Sequence, residues 1–362
     1  MKAKIAPPDH IVSILEAGIQ APSGDNCQPW AFKVDGNYID FYLRSEVDRS
    51  FFNFKQLASI ISCGAVLENM RCEAARLGYM VEFEIDGEGD FSKPILKIHV
   101  DKSMARQSDF ISLSKVIYKR CTNRKMYNRR PIPADHLKHL KREAENHPGC
   151  ELHLFTDRKD IFRLARLVYM ADRLRTERRD LHEHLMNMIR WTDEEVLEKK
   201  DGLPLKNLEA GFAGELFLKA TRPWRVMNIL NKVGISRFVA LHSFRQLLNS
   251  AAVALITVPS TEIEDFLKGG IMVEQFWLAA TSMGLAVQPV AALALFVLRM
   301  RAEGMGAFSR AHWGLLRKAS SGFDALKKVD SSWPCLLFRL GFADQPKSRT
   351  IRHSLEEFLC ES

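Results

Sequence analysis

The chain has 362 residues, 46% of them hydrophobic and 27% charged, the profile of a globular protein with a substantial core. Its formal net charge of +8 suits a phosphate-bearing ligand, but the basic residues are scattered without a long basic tail, so nucleic acid is not an expected partner. Seven cysteines, odd in number and without a Cys-x-x-Cys pair, argue against a disulfide framework or a zinc site and for a reducing compartment.

Pro7 and Pro8 lead into Asp9, an expected N-cap, after which Ile11, Ile14, Leu15 and Ile19 recur at helical spacing. The opening ten residues carry no apolar signal core, so a cytoplasmic location is expected. Residues 21–28 form a loop rich in turn formers, followed by strand-like runs at 30–34 and 39–43 around Gly36 and Asn37. A long helical pattern over 54–77 ends at Gly78, and strands are expected at 79–85 and 94–100 around a turn at 86–90. Beyond Pro131 and Pro133 the helical pattern returns, with strands at 150–155, 252–258 and 334–342. The apolar run 284–300 is broken by Gln288, Pro289 and Arg299, too interrupted for a membrane span. Hairpins mixed with helices predict an α+β fold with mixed or antiparallel sheets packed by helices.

A faint internal repeat runs through this pattern. Gly64, Glu68, Ala74, Gly78 and Val81 return at one constant offset as Gly270, Glu274, Ala280, Gly284 and Val287. Each copy is a helix that ends in glycine and runs into a strand. The unbroken register favours a duplicated unit, with two pseudo-symmetric halves in one chain, over chance convergence of two helices.

Two short segments carry candidate chemistry. In the loop, Pro22, Ser23, Asn26 and Gln28 offer a backbone open to a flat ligand together with hydrogen-bonding side chains. In the second, Arg120, Thr122, Asn123 and Arg124 can clamp a phosphate and a sugar-like chain. Alone, the first reads as an ordinary loop and the second as a solvated basic turn, and those plainer accounts prevail. Together they resemble the FMN-dependent nitroreductase superfamily, whose Ala-Pro-Ser-x-x-Asn-x-Gln-Pro-Trp loop is matched from Ala21 to Trp30, and whose Arg-x-Ser/Thr-x-Arg clamp is matched by Arg120, Thr122 and Arg124.

The resemblance implies bound FMN, with Arg120, Arg124 and Arg352 on its phosphate, Thr122 on the ribityl chain, and Ser23, Asn26, Gln28, Gln288, Pro289 and Val290 about the ring. It also implies NAD(P)H as donor and a small quinone- or nitro-like acceptor, in a two-step exchange. No catalytic acid or base stands out. The order of segments is closest to the long, fused-dimer-like subfamily of mycobacterial Acg-type proteins. It predicts a first half over 1–115 with the Pro-Ser loop and a second over 116–362 with the clamp, lid-like insertions and C-terminal arm. One complete site per chain follows, with the pseudo-symmetric second site empty. A monomer then suffices, and a homodimer is not excluded.

One departure bears on activity. The ordinary enzymes often carry Pro-x-Glu-Gly beneath the flavin, where this chain has Pro289-Val290-Ala291-Ala292. The long segments 164–246 and 298–332 are expected to form a lid. Both features favour an alternative, a flavin-sequestering protein with little turnover; a third reading is an oxidase serving a peptide-modifying partner.

Other signals are weaker. Gly87-Glu88-Gly89 and Gly304-Met305-Gly306 are incomplete dinucleotide fingerprints. Neither His182 with His184 nor His136 with His139 completes a metal site. The basic aromatic stretch from Arg299 to Lys328 is expected to be part of a solvated lid rather than a membrane contact.

Overall fold

A computed structural model describes residues 6–85, 89–103, 108–326 and 332–360. The Gly87-Glu88 pair, most of the turn at 86–90, and Lys327 and Lys328 lie outside the described residues. In chain order the elements are helix α1 (Asp9–Gly18), strands β1 (Trp30–Asp35) and β2 (Tyr38–Leu43), α2 (Leu57–Leu77), β3 (Tyr79–Ile85), β4 (Leu96–Lys102), α3 (Ser108–Ser114), α4 (Ala134–Glu145) and β5 (Glu151–Phe155). Then come α5 (Arg158–Glu177), α6 (Arg179–Met188), β6 (Ile189–Arg190), α7 (Asp193–Lys199), β7 (Leu203–Pro204), α8 (Gly211–Thr221), α9 (Trp224–Lys232) and α10 (Ile235–Leu248). The chain finishes with β8 (Ala252–Val258), α11 (Ile263–Ser282), β9 (Ala286–Pro289), α12 (Ala291–Glu303), α13 (Arg310–Asp324) and β10 (Trp333–Gly341).

Two four-stranded antiparallel sheets organise these elements, in the orders β1-β2-β4-β3 and β5-β8-β10-β9. The fold is therefore α+β, as the mixture of hairpins and helices predicts. The two orders superpose strand for strand, because α1-β1-β2-α2-β3-β4 and α4-β5-β8-α11-β9-β10 trace the same path. Helices α5 to α10 interrupt the second copy between β5 and β8, and α12 and α13 interrupt it between β9 and β10.

The paired helices α2 and α11 cross at the repeat glycines. A Cβ on Gly64 would lie 2.2 Å from the carbonyl oxygen of Leu267, and one on Gly270 would lie 2.2 Å from that of Ile61. Each contact is the image of the other, the reciprocity of a two-fold axis. Only glycine allows backbones this close. Both helices are buried along most of their length, so neither shows a strong polar face.

Burial along the strands follows their coverage. All seven residues of β8 are buried. Ala252, Ala254 and Ile256 join the core shared with α11, and Val253 and Leu255 join a second core with α5 and α12. On β3 burial merely alternates, because one face meets solvent. The helix expected from residue 54 begins at Leu57, since Lys55 and Gln56 adopt left-handed backbone angles (φ 48° and 63°) that a helix cannot continue through.

Two segments return to sheet edges. The Cys360 N–H donates to the Phe32 carbonyl (2.8 Å), so the C-terminal arm returns to the free edge of β1. The Asn123 N–H donates to the Val287 carbonyl (2.9 Å), which lays the clamp segment along β9. Among the described residues, no helix is long and apolar enough to cross a membrane.

Candidate functional site

A cavity of about 830 Å³ collects the predicted residues from both halves, within the usual size of a small-molecule site. Pro22, Ser23 and Asn26 line it from the loop after α1, Arg120, Thr122 and Arg124 from the clamp segment, Gln288, Pro289 and Val290 from the end of β9, and Arg352 from the C-terminal arm. Gln28 and Asn123 are not on its wall. Gln28 donates to the Lys200 carbonyl (2.9 Å) and accepts from the His353 N–H (3.0 Å), tying the loop to the insertion and the arm. Asn123 donates to the Asp344 carbonyl (2.9 Å) and accepts from the Lys125 N–H (3.1 Å). Both are struts of the frame.

The loop is shaped under strain. Asp25, Asn26 and Gln28 all have positive φ (46°, 60° and 53°), a conformation costing non-glycine residues of order 1 kcal/mol each. Ser23 Oγ accepts from the Gln28 N–H (2.9 Å), and Asn26 donates to the Ile351 carbonyl (3.1 Å). This turn directs the Ile19 and Ala21 carbonyls onto the Arg352 guanidinium at 3.2 and 3.0 Å.

Arg120, buried, and Arg352, half-buried, form a cationic corner. Arg352 also donates to the Asn26 side chain and to Thr350 Oγ1. Arg120 donates to the Gln20 carbonyl (2.9 Å), stacks over Trp277 (4.5 Å), and sits 2.9 Å from a Glu274 carboxylate oxygen. That last pair is out of line for a hydrogen bond. Burial pushes the Glu274 carboxyl up to about 7, against the pull of Arg120 and with help from Glu68. Burial and then Arg120 depress the Arg352 guanidinium to about 9. Even a fully ionised Glu274 balances only one of the two guanidiniums, so an oxyanion such as a phosphate fits this corner.

Further along the wall, Arg124 donates to the Asn207 carbonyl (3.3 Å), and burial lowers its pKa. Arg339 holds Gln288 Oε1 (2.6 Å), lies over the Tyr127 ring (3.8 Å), and is depressed to about 10 by burial. The Val290 N–H is taken by the Leu337 carbonyl (2.7 Å). Helix α12 begins at the next residue without a side-chain cap, and Ala291 and Ala292 of its first turn lie on the wall. First-turn N–H groups have no partner within their helix, so this end of α12 favours an electron-rich group.

Several wall residues have no marker in the sequence. His184 of α6 meets Asp25 across the cavity (3.0 Å), and this hydrogen bond raises its pKa. Burial, then Arg339, lowers that of His242. Of the two segments expected as a lid, α5 to α10 supply Arg175, Leu181, His184, Phe217, Phe238 and His242 to the wall. Among the described residues, segment 298–332 supplies none. Its α13 packs on α5 in the second apolar core through Leu316, Ala319 and Phe323. The pseudo-symmetric corner holds side chains instead: Glu68 with Arg71 (2.9 Å), Gln275 donating to Glu143 (2.9 Å), and His147 against Gln275. Among the described residues, Glu82, His99 and Asp101 bring ligand atoms within 4.8 Å of one another, outside the cavity.

No family model matches the chain. It is 28% identical over 95% of its length to an uncharacterized protein of Mycobacterium tuberculosis, covering 48% of that protein. It is 25% identical to a putative NAD(P)H nitroreductase of the same organism, over 33% of this chain and 35% of the other. The chain thus spans about half the length, or less, of these curated relatives. Among solved structures, it aligns with the FMN-dependent nitroreductase NfnB of Mycobacterium smegmatis, solved with NADPH, at a TM-score of 0.40 and 15% identity, over 69% of this chain and 98% of the other.

Proposed function

We propose that the chain binds one FMN in this cavity and is an oxidoreductase that passes electrons from NAD(P)H to a small quinone- or nitro-like acceptor. The observation that carries the reading is the under-neutralised pair of a buried Arg120 and a half-buried Arg352 at the strained Pro22–Asn26 loop, inside a cavity of about 830 Å³. The two arginines would hold the phosphate, and Thr122 and Arg124 would lie along the ribityl chain. Gln288, Pro289 and Val290 would border the ring. Bound FMN would supply reversible two-electron exchange. The first turn of α12 would favour an electron-rich edge of that ring. His184, whose pKa the Asp25 hydrogen bond raises, would be a wall residue able to give a proton to a reduced acceptor. In this reading residues 1–115 and 116–362 are the two halves, and a single chain supplies both sides of the site.

A second reading is a flavin-sequestering protein with little turnover. It is favoured by the walls that α5 to α10 add and by Ala291-Ala292 where the family often has Glu-Gly. Anaerobic absorbance of the purified protein separates the two. Flavin bands that bleach with NADPH or NADH support the oxidoreductase. Bands that persist with both donors but bleach with dithionite support sequestration. A colourless protein that fails to take up added FMN sinks both.

A further inference from the structure

The outer face of the insertion combines exposed apolar side chains with basic ones. Phe212 is 86% exposed, Ile229 63%, Val233 80% and Phe238 70%. Their spacing is orderly. Phe212, Leu216 and Lys219 follow one stripe of α8, while Val226, Ile229 and Val233 follow one stripe of α9 beside Arg225 and Lys232. The opposite stripe of α8, with Ala213, Gly214 and Phe217, lines the cavity, and so does Phe238 of α10. Phe238 therefore stands at the rim, where the exposed face and the cavity meet.

Charge selects the occupant. From Gly211 to Phe238 the chain carries Lys219, Arg222, Arg225, Lys232 and Arg237, and Glu215 is the lone carboxylate. A second copy docked by a two-fold axis would set these cations against their own images. A negatively charged surface that also admits apolar side chains satisfies both features, which is the chemistry of an anionic lipid bilayer.

We propose that α8, α9 and the start of α10 form a peripheral docking surface for anionic membranes. The apolar side chains enter the headgroup boundary while the lysines and arginines pair with lipid phosphates. Docking sets the cavity rim at the bilayer, so the substrate class extends to apolar ring compounds dissolved in the membrane; this last step alone rests on the redox reading above.

The test is co-sedimentation of the full chain with phosphatidylcholine vesicles, with and without phosphatidylglycerol, a readout independent of flavin and of turnover. Binding should be at least about tenfold stronger to the phosphatidylglycerol vesicles and should fall as salt rises, as for a surface charge interaction. Lys219→Glu with Lys232→Glu should weaken it by about tenfold or more. Phe212→Ser with Ile229→Ser should weaken it at low salt as well, with an unchanged melting temperature because both side chains are exposed. Equal binding to both vesicle types, no binding to either, or unaltered binding by both variants overturns the proposal. So does a dimer by light scattering that the Phe212→Ser, Ile229→Ser variant converts to monomer, since a second copy would then cover the face.

Discussion

The Arg352 guanidinium donates to protein oxygens on several sides yet is held near 9, because burial and its Arg120 neighbour outweigh Glu274. A bound phosphate would reverse that balance. Arg352→Met should therefore weaken FMN binding by roughly 10–100-fold, the value of a charge-assisted contact, and Arg352→Lys by less. Fluorescence titration checks this, and riboflavin, which lacks the phosphate, should bind wild type and variant alike. Equal loss of both ligands would place the effect in the loop rather than at the phosphate.

The buried carboxyls give a second prediction. Burial raises Glu68 from 4.5 to about 6, and Glu274 from 4.5 to about 7. A folded-state pKa above the unfolded one means that the folded chain holds protons the unfolded chain has already released. These groups therefore make stability fall as pH rises from about 4.5 to about 7, with no further change above. Glu68→Gln keeps an acceptor for Arg71 and should stabilise the protein at pH 8 by on the order of 1–2 kcal/mol. The advantage should vanish near pH 4.5, the ordinary value for this carboxyl. Urea midpoints at both pH values measure it, and a pH-independent difference would refute the assignment.

At this scale the sequence discloses residues that carry a recognisable local pattern. Ten of the residues expected at the site do line one cavity. Gln28 and Asn123 share the same motifs, but their hydrogen bonds run to the frame, and motif spacing does not say which way a side chain turns. The Asp25–His184 pair joins residues 159 apart, and although Asp25 stands within the loop motif, no neighbour marks His184 as its partner.

At the scale of elements, the crossing of α2 and α11 is the tightest constraint. Gly64→Ala would drive a methyl into the Leu267 carbonyl, and Gly270→Ala into that of Ile61, each at 2.2 Å. Backbone cannot turn aside as a side chain can, so each change should cost about 3 kcal/mol or more. The double variant should cost less than the sum, because one separation of the helices relieves both clashes. Thermal denaturation of the single and double variants tests this. The repeat was legible because these glycines are fixed by the crossing itself. The equivalence of β1 with β5 was not legible, since β1 buries Trp30, Ala31 and Phe32 under the returning C-terminal arm whereas β5 is exposed at Glu151 and fully buried only at Phe155, so different side chains suit them. The role of α13 was hidden for a related reason, because an amphipathic helix over a cavity and one over another helix read alike.

For the whole molecule, the cationic corner at one end of the helix pair and the filled corner at the other predict one FMN per chain. Calorimetric titration should give a stoichiometry of one, and two would contradict the asymmetry. FMN at about 100 times its dissociation constant should add about 2.7 kcal/mol and raise the melting temperature by several degrees.

The reciprocal glycine crossing has a consequence for how such a site can change. In a symmetric dimer one gene writes both walls, so a substitution that helps one pocket is imposed on its mirror image. Here each wall has its own codon. At the position matching Trp277, which carries the Arg120 stack, the other helix has Arg71, which turns to Glu68. One corner can gather arginines while its counterpart is sealed with Glu143, Gln275 and His147. The joined chain keeps the geometry of a dimer and sheds its obligation to make every change twice.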